Sequence, residues 1–214
     1  MPGPHEKIIA VAAKAALSPH GFRRKGQSRT WLADHGWWLT VVEFQPSSWS
    51  KGSYLNVAAH WLWSELGCLS FDSGGRVAEF EEYLSNEQFE PAAARLADCA
   101  ARIAQRLAET FTSVELTANR LLNRERTRPH REQGLWSAYH AGVTAGLVGR
   151  EVDAAEMFNR ILVSPPPPGS MVHAAAEQMA PLANDSDAFR REIAMRIAKQ
   201  RQTLKLAAAD TLPL

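Results

Sequence analysis

The sequence predicts an α+β fold: an N-terminal helix and an antiparallel sheet of three to four strands, packed by helices and followed by an all-helical C-terminal part. Two observations support this prediction. Residues 21–63 are rich in β-branched and aromatic side chains and hold six of the seven tryptophans, a composition typical of strands. After residue 112 the apolar residues recur at helical spacing instead. We therefore expect a sheet-bearing domain at residues 1–112 and a helical extension at residues 113–214 that packs on it.

Composition and charge exclude several classes of protein. The chain has 214 residues, 45% hydrophobic and 22% charged, which is typical of a globular protein and not of a disordered or fibrous one. Because 24 basic residues face 23 acidic ones, any electrostatic partner must be bound by a local patch. The N-terminus lacks the order of a signal peptide, and Cys68 and Cys99 show no zinc-binding spacing. We expect a cytoplasmic protein that binds no membrane, metal or cofactor.

The first domain is expected to begin with a helix after Pro4. It ends where Pro19 cannot continue it and Gly21 can adopt a left-handed conformation. Three strands follow, at residues 28–33, 37–45 and 54–63. The sequence Asp34-His35-Gly36 between the first two strands has the composition of a hairpin turn, so antiparallel pairing is the simplest arrangement.

The rest of the first domain is predicted to be mainly helical. Residues 69–71 are expected to add a short edge strand, with a turn at residues 72–75, and a short helix follows in which Val77, Phe80 and Leu84 recur at helical spacing. Ser85 and Gln88 form a capping-box pattern that opens a longer helix. Its apolar stripe consists of Leu96, Cys99, Ile103, Leu107 and Phe111. We expect this stripe to pack on the sheet.

The composition changes at about residue 119, where a basic segment that is poor in apolar residues is expected to connect the two parts. This segment contains Arg120, Arg124, Arg126, Arg128, His130 and Arg131. Four helices are expected after it. They are separated by Gly149, by the prolines of residues 165–168 and by polar capping residues at 184–187.

The order of features in the opening stretch resembles a known family. These features are Gly21-Phe22 after a helix, the basic residues 23–25, Trp31, the strand from Trp38 to Phe44 that runs into Gln45 and Ser47-Ser48, and Tyr54-x-Asn56-x-Ala58. Over roughly residues 5–65 the chain resembles the uncharacterised bacterial family known as domain of unknown function 4304. The resemblance implies a bacterial α+β domain with a helix packed on an antiparallel sheet. It implies no catalytic residues, because no activity is established for that family.

The tryptophans and a few polar residues favour a non-enzymatic module that binds a protein partner. The six tryptophans of residues 21–63 cannot all face inward if the strands alternate, and exposed aromatic side chains often mark a partner surface. The candidate partner-binding residues are Trp37, Trp49, Trp61, Gln45, Asn56 and His60. If this hypothesis is right, Trp49 or Trp37 should be exposed. The competing interpretation is that both faces of the sheet are covered and that the amides satisfy backbone groups at strand ends.

Two other functions stay open at this point. Nucleic acid could be bound by Arg23, Arg24, Lys25 and Arg29, with Trp31 or Trp37 as a stacking surface; the competing interpretation is a solvated edge strand whose charges prevent aggregation. An enzymatic function would need Gln45, Asn56 and His60 to form one polar pocket, and no nucleophile or carboxylate has recognisable spacing to His60. An immunity- or antitoxin-like role suits a small bacterial protein of this kind by analogy alone. The oligomeric state does not follow from the sequence.

Overall fold

The fold is given by a computed structural model that describes residues 3–129 and 134–209. The α+β class is confirmed, with one strand more than expected. By their internal contacts the described residues fall into two units. Unit 1 lies within Met1–His60 and Cys68–Glu109, and unit 2 lies within Trp61–Gly67 and Thr110–Leu214.

Unit 1 is a helix, a five-stranded antiparallel sheet and a second helix. The helices are α1 (Pro4–Leu17) and α2 (Asn86–Thr110). The strands are β1 (Arg23–Arg24), β2 (Thr30–Asp34), β3 (Trp38–Gln45), β4 (Gly52–Trp61) and β5 (Ser73–Glu82). They pair in the order of the sequence, β1-β2-β3-β4-β5. The three predicted strands correspond to β2, β3 and β4, with boundaries that differ by up to two residues.

The core of unit 1 lies between one face of the sheet and the two helices. The register pairs Trp31 with Val42 and Ala33 with Thr40, so alternate residues of neighbouring strands point to the same side. Buried side chains on this face pack with Leu17 of α1 and with α2. The buried face of α2 consists mainly of alanines, whereas Cys99, Ile103 and Leu107 of the predicted stripe are only partly buried. Small alanine side chains let the helix approach the sheet closely.

The start of α2 shows the predicted cap. The Ser85 hydroxyl accepts a hydrogen bond from the backbone N–H of Gln88 at 3.3 Å. The Gln88 side chain accepts in turn from the backbone N–H of Leu84 at 3.2 Å, one residue earlier than a standard capping box places it.

The prediction for residues 69–84 is wrong. Residues 69–71 are not in a strand, and the predicted turn and short helix are replaced by β5, which pairs with β4. Two register shifts interrupt this pairing, and each bulge breaks the alternation of period two. Val77 and Phe80 therefore recur at helical spacing although both lie on a strand. Gly74 is required near its start, because its φ is +127° and an added Cβ would overlap the carbonyl oxygen of Val57.

Within the described residues, unit 2 contains five α-helices and a short segment that follows β4. The helices are α3 (Val114–Thr127), α4 (Leu135–Leu147), α5 (Glu151–Leu162), α6 (Met171–Met179) and α7 (Ser186–Thr203). Helix α4 is central: it contacts α3, α5, α6 and α7, and its residues from Ala138 to Leu147 are all buried. Residues 62–64 form a 3₁₀ turn that contacts α7.

The predicted basic connector is also wrong over most of its length. Arg120, Arg124 and Arg126 lie on α3, whose first turn is capped by the Ser113 side chain. The helix was missed because its buried side is formed by few large residues among many arginines. Arg126 pairs with Asp153 at 2.7 Å, an ion pair within unit 2. His130 and Arg131 lie outside the described residues.

The hairpin between β2 and β3 contains a histidine that should make stability depend on pH. The His35 ring stacks on Trp38 with centroids 3.9 Å apart, and its Nε2 lies 2.9 Å from the Thr40 hydroxyl. Burial lowers the pKa of His35 from its usual value of 6.5. As the pH falls through 6.5, the unfolded chain binds a proton that the folded chain does not. The free energy of unfolding should therefore decrease as the pH is lowered.

This expectation can be tested by comparing the wild type with His35→Gln. Between about pH 7.5 and about pH 5.5, the urea midpoint of the wild type should fall further than that of the variant, because only the wild type carries this titration. The other histidines are present in both proteins and cancel in the comparison. An equal fall in both proteins would show that His35 does not contribute.

Candidate functional site

The β3–β4 loop, residues 46–51, presents a tryptophan to solvent. The side chain of Trp49 is 94% exposed, whereas the other five tryptophans of the opening stretch are at most 5% exposed. The Ser47 hydroxyl accepts a hydrogen bond from the backbone N–H of Trp49 at 3.1 Å, and this turn places the indole at the tip of the loop. Glycine is required at position 52, where the loop ends, because an added Cβ there would overlap the carbonyl oxygen of Glu81. The exposed indole is therefore held on a short loop between two paired strands.

The exposure of Trp49 can be checked with fluorescence. Trp49→Phe should remove most of the emission that acrylamide quenches, since the remaining tryptophans of the stretch are buried. Its free energy of unfolding should change by less than about 0.5 kcal/mol, as is usual for surface substitutions. Trp136→Phe is the matched control, because the Trp136 side chain is half-buried. This substitution should remove less of the acrylamide-quenchable emission than Trp49→Phe does. Equal quenching in Trp49→Phe and the wild type would contradict the exposure.

A polar pocket of about 270 Å³ lies at the base of this loop. Its lining consists of His5 from the first turn of α1, Arg29 before β2, and the loop with the first residue of β4, residues 46–52. Three serine hydroxyls and the Lys51 ammonium of the loop are among these groups. The pocket thus combines hydrogen-bond donors and positive charge next to one exposed indole.

Arg29 fixes the floor of the pocket. Its side chain is 14% exposed, and its guanidinium donates to Glu6 Oε1 at 2.8 Å and to the carbonyl oxygen of Gly52 at 3.2 Å. It also lies 3.2 Å from His5 Nε2. The hydrogen bond from Arg29 lowers the pKa of Glu6, which stays ionised and offsets the charge of the guanidinium.

His5 and Lys51 complete the electrostatics of the pocket. Burial, followed by the positive charge of Arg29, lowers the pKa of His5, so the imidazole is neutral at pH 7. The Lys51 side chain is exposed. The pocket therefore carries about one uncompensated positive charge and suits a single acidic group.

Gln45 and Asn56 come together, but not with the tryptophans proposed beside them. The Asn56 side-chain amide donates to Gln45 Oε1 and to Glu43 Oε2, both at 2.9 Å. Arg76 donates to the same oxygen of Gln45 at 2.9 Å and lies 3.9 Å from the centre of the Tyr54 ring. These residues form a polar network across β3, β4 and β5. The amides bond to side chains, and not to the strand-end backbone groups that the sequence suggested.

His60 does not share that network, so the polar pocket required for an enzymatic function does not form. His60 lies four residues from Asn56 along β4, about 13 Å at the rise of a strand. Its buried Nδ1 lies 2.7 Å from Ser70 Oγ and 3.4 Å from Asp72 Oδ2. The backbone N–H of Ser70 also donates to Nδ1, at 3.3 Å.

This Ser-His-Asp group has the wrong geometry for nucleophilic catalysis. In a catalytic triad the serine and the carboxylate use opposite nitrogens of the imidazole, whereas Ser70 and Asp72 both approach Nδ1 of His60. The imidazole is fully buried. Its role is to hold the segment before β5 against β4.

Trp37 and Trp61, two of the candidate partner-binding residues, are buried. Their exposed fractions are 2% and 0%, so neither offers an indole to a partner at the surface of this fold. Trp61 stacks on Trp63 within unit 2, with centroids 5.4 Å apart and an interplanar angle of 7°. The expectation was that Trp49 or Trp37 is exposed, and Trp49 is the exposed one.

The four basic residues proposed for nucleic acid do not form one surface. Arg23, Arg24 and Lys25 are exposed at the β1 edge, and the Arg24 side chain donates to the carbonyl oxygen of Ser28 at 2.6 Å. Arg29 instead turns to Glu6 and the Trp49 pocket. Trp31 and Trp37, the proposed stacking surfaces, are buried.

Among the polar and charged residues that line the pocket, His5 and Lys51 were not candidates in the sequence analysis. A histidine in the first turn of a helix carries no sequence signal of its own, because its role depends on the tertiary position of α1. Within residues 3–129 and 134–209, no cluster of histidine, cysteine, aspartate and glutamate is suited to hold a metal ion. In the same ranges no helix has the length and apolar character needed to span a membrane.

Comparison of the chain with protein-family models, with curated proteins and with solved structures found no match. The resemblance to family 4304 therefore stays a prediction.

Proposed function

We propose that the chain is a non-enzymatic interaction module that binds a protein partner through the Trp49 loop. The observation that supports this most directly is the 94% exposure of Trp49 on a loop held at both ends by the sheet. An exposed indole leaves apolar surface in contact with water in the free chain, and covering that surface with a partner is favourable. Tryptophan is also among the residues that most often dominate binding energy at interfaces.

The chemistry around Trp49 specifies the partner further. The indole suits an apolar cleft, and the adjacent pocket with Arg29, Lys51 and three serine hydroxyls suits a carboxylate. The partner surface should therefore place an acidic side chain beside an apolar depression. Since Glu6 already offsets Arg29, the acidic group contributes mainly to orientation.

A nucleic-acid ligand is less favoured at this loop. Binding a phosphate backbone requires several uncompensated cations along its path, whereas in the part of the chain that the structure describes Lys51 is the only such cation that lines the pocket. An aromatic anchor with one neighbouring charge is more typical of a protein interface.

Site-specific photocrosslinking tests this proposal. A benzoylphenylalanine at position 49 in the full chain, expressed in its own cells, should give a discrete protein adduct; the same group at the exposed Arg102 of α2 is the control. The partner identified from this adduct, purified without the crosslink, should bind Trp49→Ala roughly thirtyfold more weakly than it binds the wild type. This corresponds to a loss of about 2 kcal/mol in binding free energy. Trp49→Phe should retain most of the affinity, because an aromatic ring remains.

Three outcomes would overturn the proposal. They are adducts of equal yield and identity at positions 49 and 102, an adduct of nucleic acid in place of protein, and a purified partner that binds Trp49→Ala as tightly as the wild type.

A further inference from the structure

A groove between α1 and β1 forms a second surface of unit 1. It has a volume of about 480 Å³ and is lined by Ala10, Val11, Lys14, Ser18, Phe22, Arg23, Arg24 and Trp31. None of these residues lines the Trp49 pocket. The groove is thus a separate candidate for binding.

The floor and one wall of the groove are apolar. Phe22 and Trp31 are buried beneath it, whereas Val11 is 71% exposed on α1. Val11 also lines a smaller depression, of about 360 Å³, together with Lys7, Ile8, Ala12 and Glu90. Side chains of another segment can pack into the two depressions, beside the exposed Val11 side chain.

Cations surround this apolar surface, and most of them lack counterions. Lys14, Arg23 and Arg24 line the groove, and Lys7 lies one helical turn before Val11. Among the described residues, Lys7, Lys14 and Arg23 form no ion pair. Among residues 3–129 and 134–209, no acidic side chain lines the groove itself, whereas Glu90 lines the smaller depression together with Lys7. Such a concentration of one charge raises the local concentration of acidic partners.

We propose that the α1–β1 groove docks an acidic segment of a protein partner that inserts at least one large apolar side chain beside Val11. Charge complementarity selects the acidic residues, and the apolar floor selects the inserted side chain. A nucleic acid would find the cations but no exposed aromatic ring in the groove on which to stack a base. An anionic membrane is flat and would not fill a concave groove.

Synthetic probes test this proposal with the full chain. The first probe is a fluorescent peptide in which glutamates flank leucines at helical spacing; the second has lysine in place of every glutamate, the third has serine in place of every leucine, and the fourth is a single-stranded oligonucleotide. Binding is measured by fluorescence anisotropy at low ionic strength. The first peptide should bind more tightly than the other three probes.

Variants locate the binding and separate charge from apolar contact. Lys14→Glu with Arg23→Glu should weaken binding of the acidic peptide by tenfold or more, because each reversal places like charges together. Val11→Ser keeps every charge and should weaken it by roughly fivefold, through loss of apolar contact. Arg102→Glu with Arg106→Glu on α2 has the same net charge change but does not alter the groove lining. It acts only through long-range electrostatics, which fall off with distance, and should weaken binding clearly less than the groove variant does.

The proposal is overturned if the α2 control weakens the peptide as much as the groove variant, if Val11→Ser has no effect, or if the oligonucleotide binds more tightly than the acidic peptide. Because Lys14, Arg23 and Val11 are exposed, these substitutions should leave the thermal midpoint unchanged. Failure here would leave the Trp49 loop unaffected, since no variant alters that loop.

Discussion

Replacing Trp63 with alanine should lower the free energy of unfolding of unit 2 by about 3–5 kcal/mol, the usual cost of truncating a buried large aromatic side chain. Trp63 is fully buried and stacks on Trp61. Its Nε1–H also donates to His140 Nδ1 at 3.2 Å. The substitution therefore removes apolar burial, an aromatic stack and a buried hydrogen bond at once.

The segment that carries Trp63 explains why the effect should be large. Residues 61–67 follow the sheet in sequence but belong to the helical unit by their contacts. Trp61 contacts the edge of Phe111 with centroids 4.9 Å apart, so the two stacked indoles join this segment to the helices of unit 2. Without the ring of Trp63, the remaining residues cannot collapse fully into the space it leaves.

Two variants make this prediction specific. Trp49→Ala removes the same group from an exposed position and should change the free energy of unfolding by less than about 0.5 kcal/mol. Trp63→Phe keeps an aromatic ring but removes the N–H donor and part of the apolar area, and should cost less than Trp63→Ala. Urea unfolding followed by far-UV circular dichroism measures all three. Equal midpoints for Trp63→Ala and Trp49→Ala would contradict the assigned role.

Most helices and the central strands could be predicted from the sequence because their patterns are regular. Strands β2 to β4 are rich in β-branched and aromatic residues, and the ends of α1 are marked by proline and glycine. These signals are local and depend little on tertiary contacts. The same reasoning failed where a local pattern is distorted, as in β5, whose bulges gave apolar residues a helical spacing.

The candidate site could be predicted only in part. Trp49 and Arg29 were named from the sequence, because an aromatic residue in a polar loop and a cation near a strand are visible there. The contact of Arg29 with His5 and Glu6 joins residues more than 20 positions apart, which no local pattern shows.

The burial of Trp37 could have been anticipated. From Trp37 to Val42 the chain is apolar at every position except Thr40. A continuous run of this kind is typical of a strand that is covered on both faces. The wrong premise was that the second face of the sheet is open to solvent, and it made a buried indole a candidate for a partner surface. The competing interpretation, in which both faces are covered, agrees with the 2% exposure of Trp37.

Replacing Arg196 with methionine should lower the free energy of unfolding by about 3 kcal/mol, because removing one partner of a buried charge network leaves the others unsatisfied. The Arg196 side chain on α7 is 4% exposed and donates to Gln178 at 2.6 Å, to Glu192 at 2.8 Å and to the Tyr139 hydroxyl at 3.1 Å. Glu192 keeps some contact with water, which limits the loss to the lower end of the usual range. The exposed neighbour Arg191→Met is the control, with a change below about 0.5 kcal/mol.

A double-mutant cycle distinguishes the network from simple burial of the arginine stem. Burial raises the pKa of Tyr139 to about 12, so its hydroxyl is protonated at neutral pH and can accept from Arg196. Tyr139→Phe alone should cost about 1 kcal/mol, and after Arg196→Met it should cost less, since the acceptor has already lost its donor. A coupling energy of about 0.5 kcal/mol or more indicates that the guanidinium acts through its hydrogen bonds. Strict additivity would mean that Arg196 stabilises α7 by packing its methylene groups, and Arg196→Lys, which keeps most of the stem, would then be nearly neutral.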